Sequence, residues 1–305
     1  SGAIETVLRL HQRHDLPADD ALPAVGGPDP AMGLPASERR IERDVHGDPH
    51  RLLRCIAEYK PIPRNDIIRI PWRCMRFGPA GYPSAGKTPE GSLKYTRELG
   101  LDALEVGFVR GARISEERAK AIGAYAKGLD IRMSCHAPYY INFNSENPET
   151  RVNSLRWVTD TARAAHHLGA YIIVIHAASY GKTPAAALPA VIEGLTRCKD
   201  LMDDEGIRDV TLGIETMGKK AQFGTLEEIA AVIDAVDGVK AVLDVAHVHA
   251  RDNGRIKTPE DMAGILDEFL PLGGDIAHFH ISCIKYGERG EISHLPLETK
   301  EPDLQ

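Results

Sequence analysis

From residue 74 onward, short apolar runs rich in β-branched residues alternate with longer stretches whose apolar positions return every three or four residues. The runs are Met75–Phe77, Ala103–Val106, Ile131–Cys135, Tyr171–Ile175, Val210–Ile214, Lys240–Leu243 and Ile276–Phe279. They lack the in-out polarity of a sheet with one wet face, so the pattern predicts strands covered on both sides. The stretches between them carry the helical period. They predict helices from about Pro89 to Leu99, over Ser115–Lys127 with Ser115 as N-cap, and along a long segment ending near His167. Strand and helix alternating in units of roughly 30–40 residues imply a parallel sheet with helical crossovers.

Residues 1–70 do not share this rhythm, which divides the chain into an N-terminal extension (1–70) and a strand–helix domain (71–305). In the extension, Ala3–His14 has the apolar spacing of a short amphipathic helix, with Ile4, Val7 and Leu8 on one side. Leu16–Pro35 is rich in Pro, Ala, Asp and Gly and is expected to be linker-like or disordered. A second helical pattern spans about Asp48–Tyr59 and stops before Pro61 and Pro63. At the other end, no apolar run follows Leu297. An eighth strand is therefore not evident: either the sequence stops short of it or another segment supplies it, and Asp66–Ile70 has strand composition.

Composition narrows the class. The 305 residues are 43% hydrophobic and 27% charged, an ordinary balance with enough apolar material for a large core. No run approaches the ~18 apolar residues of a membrane span, and no signal-peptide pattern opens the chain. Five cysteines without a CxxC pair favour reduced thiols, so a cytoplasmic protein is expected. The net charge of −7 argues against indiscriminate nucleic-acid binding over the whole surface, while leaving room for a basic face.

The thirteen histidines change the picture more. His136, His176 and His280 each directly follow or end an apolar run, and Glu215 and Asp244 do the same at two others. His247 and His249 come shortly after Asp244, in an expected loop. Functional side chains at the C-terminal ends of successive strands favour a closed (β/α)8 TIM barrel over an open sheet, which gathers its ligand at one switch point. Imidazole with carboxylate and no positioned thiolate suits Zn2+, Mn2+ or Fe2+. Cys135 and Cys283 flank the ligands, but strand neighbours point to opposite faces. The donors outnumber the needs of one ion and suggest two or three, with Glu215 central enough to bridge two of them. Ions about 3.5–4 Å apart are suited to phosphodiester hydrolysis. His166 and His167, mid-helix, read as ordinary structural residues, as do His11, His14, His46 and His50.

Five separated stretches carry a family resemblance: His136-Ala-Pro-Tyr-Tyr-Ile-Asn142, Val174-Ile-His-Ala-Ala-Ser-Tyr180, Gly213-Ile-Glu-Thr-Met-Gly-Lys219 with Gln222-Phe-Gly-Thr225, Leu243-Asp-Val-Ala-His-Val-His249, and His280-Ile-Ser-Cys-Ile-Lys285. Over about Met75–Leu297 the chain resembles endonuclease IV, the metal-dependent abasic-site endonucleases of the xylose-isomerase-like barrel superfamily. Gly78-Pro-Ala-Gly81 and Tyr286–Pro296 look closest to the shorter archaeal members. The resemblance implies a TIM barrel that cuts double-stranded DNA 5′ to abasic sites, using two or three Zn2+ ions. It implies His136, His176 and Glu215 at one ion, Glu215 (the catalytic bridge), Asp244 and His280 at a second, and His247 and His294 at a third. It also implies that Tyr139 touches DNA near the lesion.

The chain departs from that pattern in three places. Where long-form members carry Asp-x-His for the third ion, Ile292 stands two residues before His294, and Glu291 is the candidate substitute. A His-Pro-Gly commonly found near Gly181 is replaced by His176-Ala-Ala. The last carboxylate of the second ion would come from the eighth strand. His249 has no counterpart and reads as a rim residue. Basic residues after the strands, namely Arg110, Arg113, Lys182, Lys219, Lys220, Lys285 and Arg289, predict a phosphate-binding face. Two alternatives are a single-metal sugar isomerase or epimerase of the same superfamily, compatible with Asp244-x-x-His247, and a metal-containing DNA-binding barrel without turnover.

Overall fold

A computed structural model describes residues 3–7 and 75–304. Strands run in chain order as β1 (Ala3–Val7), β2 (Ala103–Gly107), β3 (Arg132–His136), β4 (Ile172–Ile175), β5 (Ala178–Ser179), β6 (Thr211–Glu215), β7 (Gln222–Phe223), β8 (Val239–Asp244), β9 (Ile276–His280), β10 (Cys283–Gly287) and β11 (Gly290–Leu295). The helices are α1 (Pro89–Glu98), α2 (Glu116–Gly128), α3 (Pro148–Leu168), α4 (Ala187–Asp204), α5 (Leu226–Ala235), α6 (Val245–Arg251) and α7 (Pro259–Gly273).

The main sheet has seven strands in the order β1-β9-β8-β6-β4-β3-β2, all paired in parallel. From β2 to β9 each strand lies beside the next one delivered by a helical crossover, the arrangement of a barrel. The edge strands β1 and β2 also approach each other, so the sheet curls round on itself. Two antiparallel additions decorate it: β5 with β7, and the β10–β11 hairpin. Every residue of β4 is buried, as expected for a strand with barrel interior on one side and helices on the other. Except at α4, whose N-cap is Ala186, helix starts follow side-chain capping. Ser115 accepts from Arg118 N at 3.2 Å, as its sequence position predicts, and Thr225 with Glu228 forms a capping box on α5.

Three expectations are corrected. Ala3–Val7 is not the start of a helix but a strand, with Ala3 opposite Ile276 and Val7 opposite His280. Its β-branched Ile4, Thr6 and Val7 suit a strand, and β9 offers an open edge whose backbone groups need partners. This segment, not one after Leu297, extends the sheet beyond β9. Met75–Phe77 does not join the ladder as a regular strand. The chain there runs extended beside β2, with one parallel bridge from Ala80 to Glu105, and Phe77 O accepts from Ala103 N at 2.9 Å. The residues after Asp244 are not loop but the short helix α6. The readings of Leu16–Pro35, Asp48–Tyr59 and Asp66–Ile70 fall outside the described residues. Among the described residues no helix is long and apolar enough to cross a membrane.

Candidate metal centre

Parallel register puts the chemistry at one end of the sheet. His136, Glu215, Asp244 and His280 are the last residues of β3, β6, β8 and β9, and His176 directly follows β4. Gly107 is level with His136, His136 with Val174, Glu215 with Val242, and Asp244 with His280. The C-terminal strand ends thus share one rim. Asp244 is also the N-cap of α6, its Oδ1 accepting from His247 N at 2.8 Å. This cap folds the chain back so that His247 sits above the carboxylate that precedes it.

The donor atoms converge. Glu215 Oε2 lies 3.2 Å from His136 Nε2 and 2.5 Å from His176 Nε2, and Glu215 Oε1 lies 2.7 Å from His280 Nδ1. Three overlapping sets, His136–His176–Glu215, Glu215–Asp244–His280 and Asp244–His247–His294, each offer ligand atoms within 4.8 Å of one another. The tautomers test whether such sets fit a cation. His136 Nδ1 faces the Ala137 carbonyl at 2.8 Å, so it carries the proton and leaves a lone pair on Nε2 aimed at the Glu215 carboxylate. His247 Nδ1 likewise donates to Thr216 O at 2.8 Å, and its Nε2 faces His294 Nε2 at 3.1 Å. Lone pairs facing carboxylate or each other in a buried site repel unless a proton or metal ion lies between them. The donor set fits divalent ions.

The hairpin supplies His294 to the third set and brings Glu291, the candidate substitute for the Asp-x-His carboxylate, close to it. Glu291 Oε2 lies 3.5 Å from His247 Nε2, and Glu291 Oε1 lies 3.9 Å from His294 Nε2. Three residues apart on a regular strand, Glu291 and His294 would face opposite sides. The β10–β11 register shifts between Lys285 and Tyr286: Ser293 pairs with Lys285 and Glu291 with Tyr286, so Ile292 is the extra residue of a bulge. Ile292 is 57% exposed, and the residues on either side of it change phase. Close docking of the hairpin depends on Gly218, where a Cβ would come within 2.8 Å of Glu291 Cβ and 2.9 Å of His247 Cδ2. Glu291→Ala is expected to lower the metal content by about one ion per chain while leaving the barrel folded. Elemental analysis of the purified variant reads this, and an unchanged count excludes Glu291 as a ligand.

Electrostatics prepare the set. Burial pushes the His176 pKa down to about 4, against the opposing pull of Glu215, so its imidazole is neutral near pH 7. For Glu215, burial alone would raise the carboxyl pKa, but His280, His176 and His136 hold it well below the usual range. His280 goes the other way: burial opposes its charge, yet Glu105 and Glu215 on either side raise it to about 10. Raised above the unfolded value of about 6.5, this group stabilises the metal-free fold below that pH and loses its contribution as pH climbs through about 10. The melting temperature of chelator-treated protein is therefore expected to fall between about pH 7 and about pH 10, and more steeply than that of His280→Gln. Parallel curves for the two proteins would contradict the assignment.

Tyr139, 41% exposed, stands at the mouth with its ring 4.9 Å from that of His136 and 5.0 Å from that of His176. Arg110, Lys182, Lys219 and Lys285 are all exposed; Lys182 reaches Glu146 at 3.4 Å, a solvated pair of little consequence. His249 is not a rim residue: it is buried, 2.7 Å from Glu301 Oε1, with Ile256 N donating to its Nδ1. Cys135 and Cys283 are buried thiols outside the ligand sets, as expected. The sequence reading missed Glu105 and His278, which join His280 in a fourth group of close ligand atoms. The available signal was a lone carboxylate inside the apolar run of β2, together with two histidines at alternate positions of β9.

Comparisons with known proteins bear on this geometry. The sequence profile of the xylose isomerase-like TIM barrels matches residues 93–300. An uncharacterized protein of Methanocaldococcus jannaschii is 32% identical over 72% of this chain and 81% of its own length. A probable endonuclease 4 of Acholeplasma laidlawii is 34% identical over 49% of this chain, which spans half the length of that relative. Among solved structures, endonuclease IV from Thermus thermophilus aligns with a TM-score of 0.58 at 23% identity, covering 74% of this chain and 83% of that one. A D-tagatose 3-epimerase-like protein aligns with a TM-score of 0.56 at 19% identity, covering 70% and 78%.

Proposed function

Because the chain belongs to the xylose isomerase-like TIM-barrel family, we propose that it is a metal-dependent phosphodiesterase that cuts duplex DNA on the 5′ side of abasic sites during repair. The observation that carries this reading is the number of imidazoles at the rim. His136, His176, His247, His280 and His294 surround Glu215 and Asp244 in three overlapping sets. A single divalent ion takes about four ligands, so the site suits two or three ions, with Zn2+ the best match and Mn2+ or Fe2+ compatible with the same donors. The similarity to endonuclease 4 proteins supports the choice of DNA.

When bound, clustered ions supply an activated water and neutralise charge on the phosphate and the leaving oxygen. The chain's own residues do the rest. Glu215 bridges two ligand sets and keeps them in register. Tyr139 offers an aromatic surface beside His136 and His176, where an everted abasic sugar would rest. Eversion is easiest where no base is paired or stacked. Arg110, Lys182, Lys219 and Lys285 hold backbone phosphates without reading sequence. Every residue of this site lies in the stretch from Glu105 to His294.

Incubation with a duplex containing one abasic analogue tests the reading: a nick 5′ to the lesion that chelator prevents is expected. The second reading, a sugar isomerase or epimerase, would need only the Glu215–Asp244–His280 set. An intact abasic duplex in the presence of Zn2+ or Mn2+, together with one ion per chain, would decide for it.

A further inference from the structure

Glu105 lies beneath the proposed metal sets, 2% exposed, and no step above uses it. Its Oε2 faces His280 Nε2 at 3.0 Å and His278 Nε2 at 3.3 Å, and Ser134 Oγ donates to the same oxygen at 3.4 Å. On its far side, His278 presents Nδ1 to the Tyr171 hydroxyl at 2.5 Å. These contacts have a direction. A neutral His278 facing a carboxylate with Nε2 keeps its ring proton there, so the Tyr171 hydroxyl donates to the lone pair at Nδ1. The His278 Nε2 proton goes to Glu105, which, as a carboxylate, can only accept. The same oxygen takes the Nε2 proton of His280. In the neutral ring that a cation requires, an imidazole that donates from Nε2 has its lone pair at Nδ1, and His280 Nδ1 is the atom lying 2.7 Å from Glu215 Oε1 and 4.0 Å from Asp244 Oδ2.

We propose that Glu105, backed by His278 and Tyr171, is a positioning residue that fixes His280 as its Nε2–H tautomer and aims Nδ1 at the ion shared with Glu215 and Asp244. The inference rests on the metal-centre reading and deepens it. Glu105, His278 and His280 stand close enough to hold an ion themselves, but the chain of donors and acceptors already gives each facing atom a partner. A carboxylate that orients a ligating histidine contributes about 10–100-fold in metal affinity.

The test uses the full chain, Zn2+, and chelator competition to resolve each ion's affinity, with histidine 15N shifts reporting the tautomers. Glu105→Gln is expected to weaken one ion by about 10–100-fold, and Tyr171→Phe to weaken the same ion by a smaller factor. His280→Ala serves as the control that removes that ion. If His280→Ala loses the ion while Glu105→Gln and Tyr171→Phe bind within about twofold of wild type, the positioning role is overturned. If His280→Ala binds like wild type, the metal-centre reading itself fails. Should Glu105→Gln not fold, Tyr171→Phe and the wild-type 15N spectrum decide. A proton on His280 Nδ1 in the Zn2+-loaded protein overturns the proposal, and a proton on Nε2 together with weaker binding in Tyr171→Phe supports it.

Discussion

Replacing Glu215 by Gln is expected to reduce phosphodiester cleavage by on the order of 10³-fold, the scale of losing a preorganised charge at a reacting centre. Glu215 is fully buried and gives one oxygen to His136 and His176 and the other to His280. An amide keeps the volume and can still donate to an imidazole lone pair, so the barrel should fold. It cannot offer two anionic oxygens, so the sets that share Glu215 lose their common ligand. Nicking of an abasic duplex, metal content and far-ultraviolet circular dichroism should report lost activity, fewer ions and an unchanged fold. Activity within about tenfold of wild type would remove Glu215 from the bridging role.

Stripping divalent ions should have the next largest effect, and one felt by the fold as well as the chemistry. Candidate ligands from β3, β6, β8, β9 and the β10–β11 hairpin meet at the rim, so ions bound there would tie distant parts of the chain together. Ions present at a thousandfold excess over their dissociation constant stabilise the folded state by about 4 kcal/mol. For a domain of this size each kcal/mol moves the melting temperature by about 2–4 °C, so chelation should lower it by on the order of 10 °C. Adding back Zn2+ should restore both the melting temperature and the nicking. A chelated protein that melts with the untreated one would show that no ion is held there.

Much of this is legible in the sequence because parallel barrel strands advertise themselves. Buried on both faces, Tyr171–Ile175 reads as an uninterrupted apolar run and Val210–Ile214 as a nearly apolar one, and the residue that follows such a run stands at the rim. His136, His176, Glu215, Asp244 and His280 are found that way. Ser115 is legible as a cap because an unpaired helix N-terminus selects a short polar side chain. What escapes depends on distant partners. Ala3–Val7 has helix-compatible spacing, and only the open edge of β9, at the far end of the chain, makes it a strand. Glu105 is one polar letter in an apolar run, and its role exists only because His278 and His280 arrive from β9 to face it. His249 resembles its neighbour His247 in sequence, but the α6 helix turns it toward Glu301 instead.

The bulge at Ile292 bears on how motifs are counted. A search pattern written for Asp-x-His would discard this chain, because its carboxylate stands one position too early. In space the separation is kept: the expelled Ile292 absorbs the extra residue, and Glu291 arrives at His247 and His294 as though two positions, not three, separated it from the second histidine. Sheet ligands are counted by pairing rungs, and a one-residue insertion placed in a bulge leaves the rung count untouched.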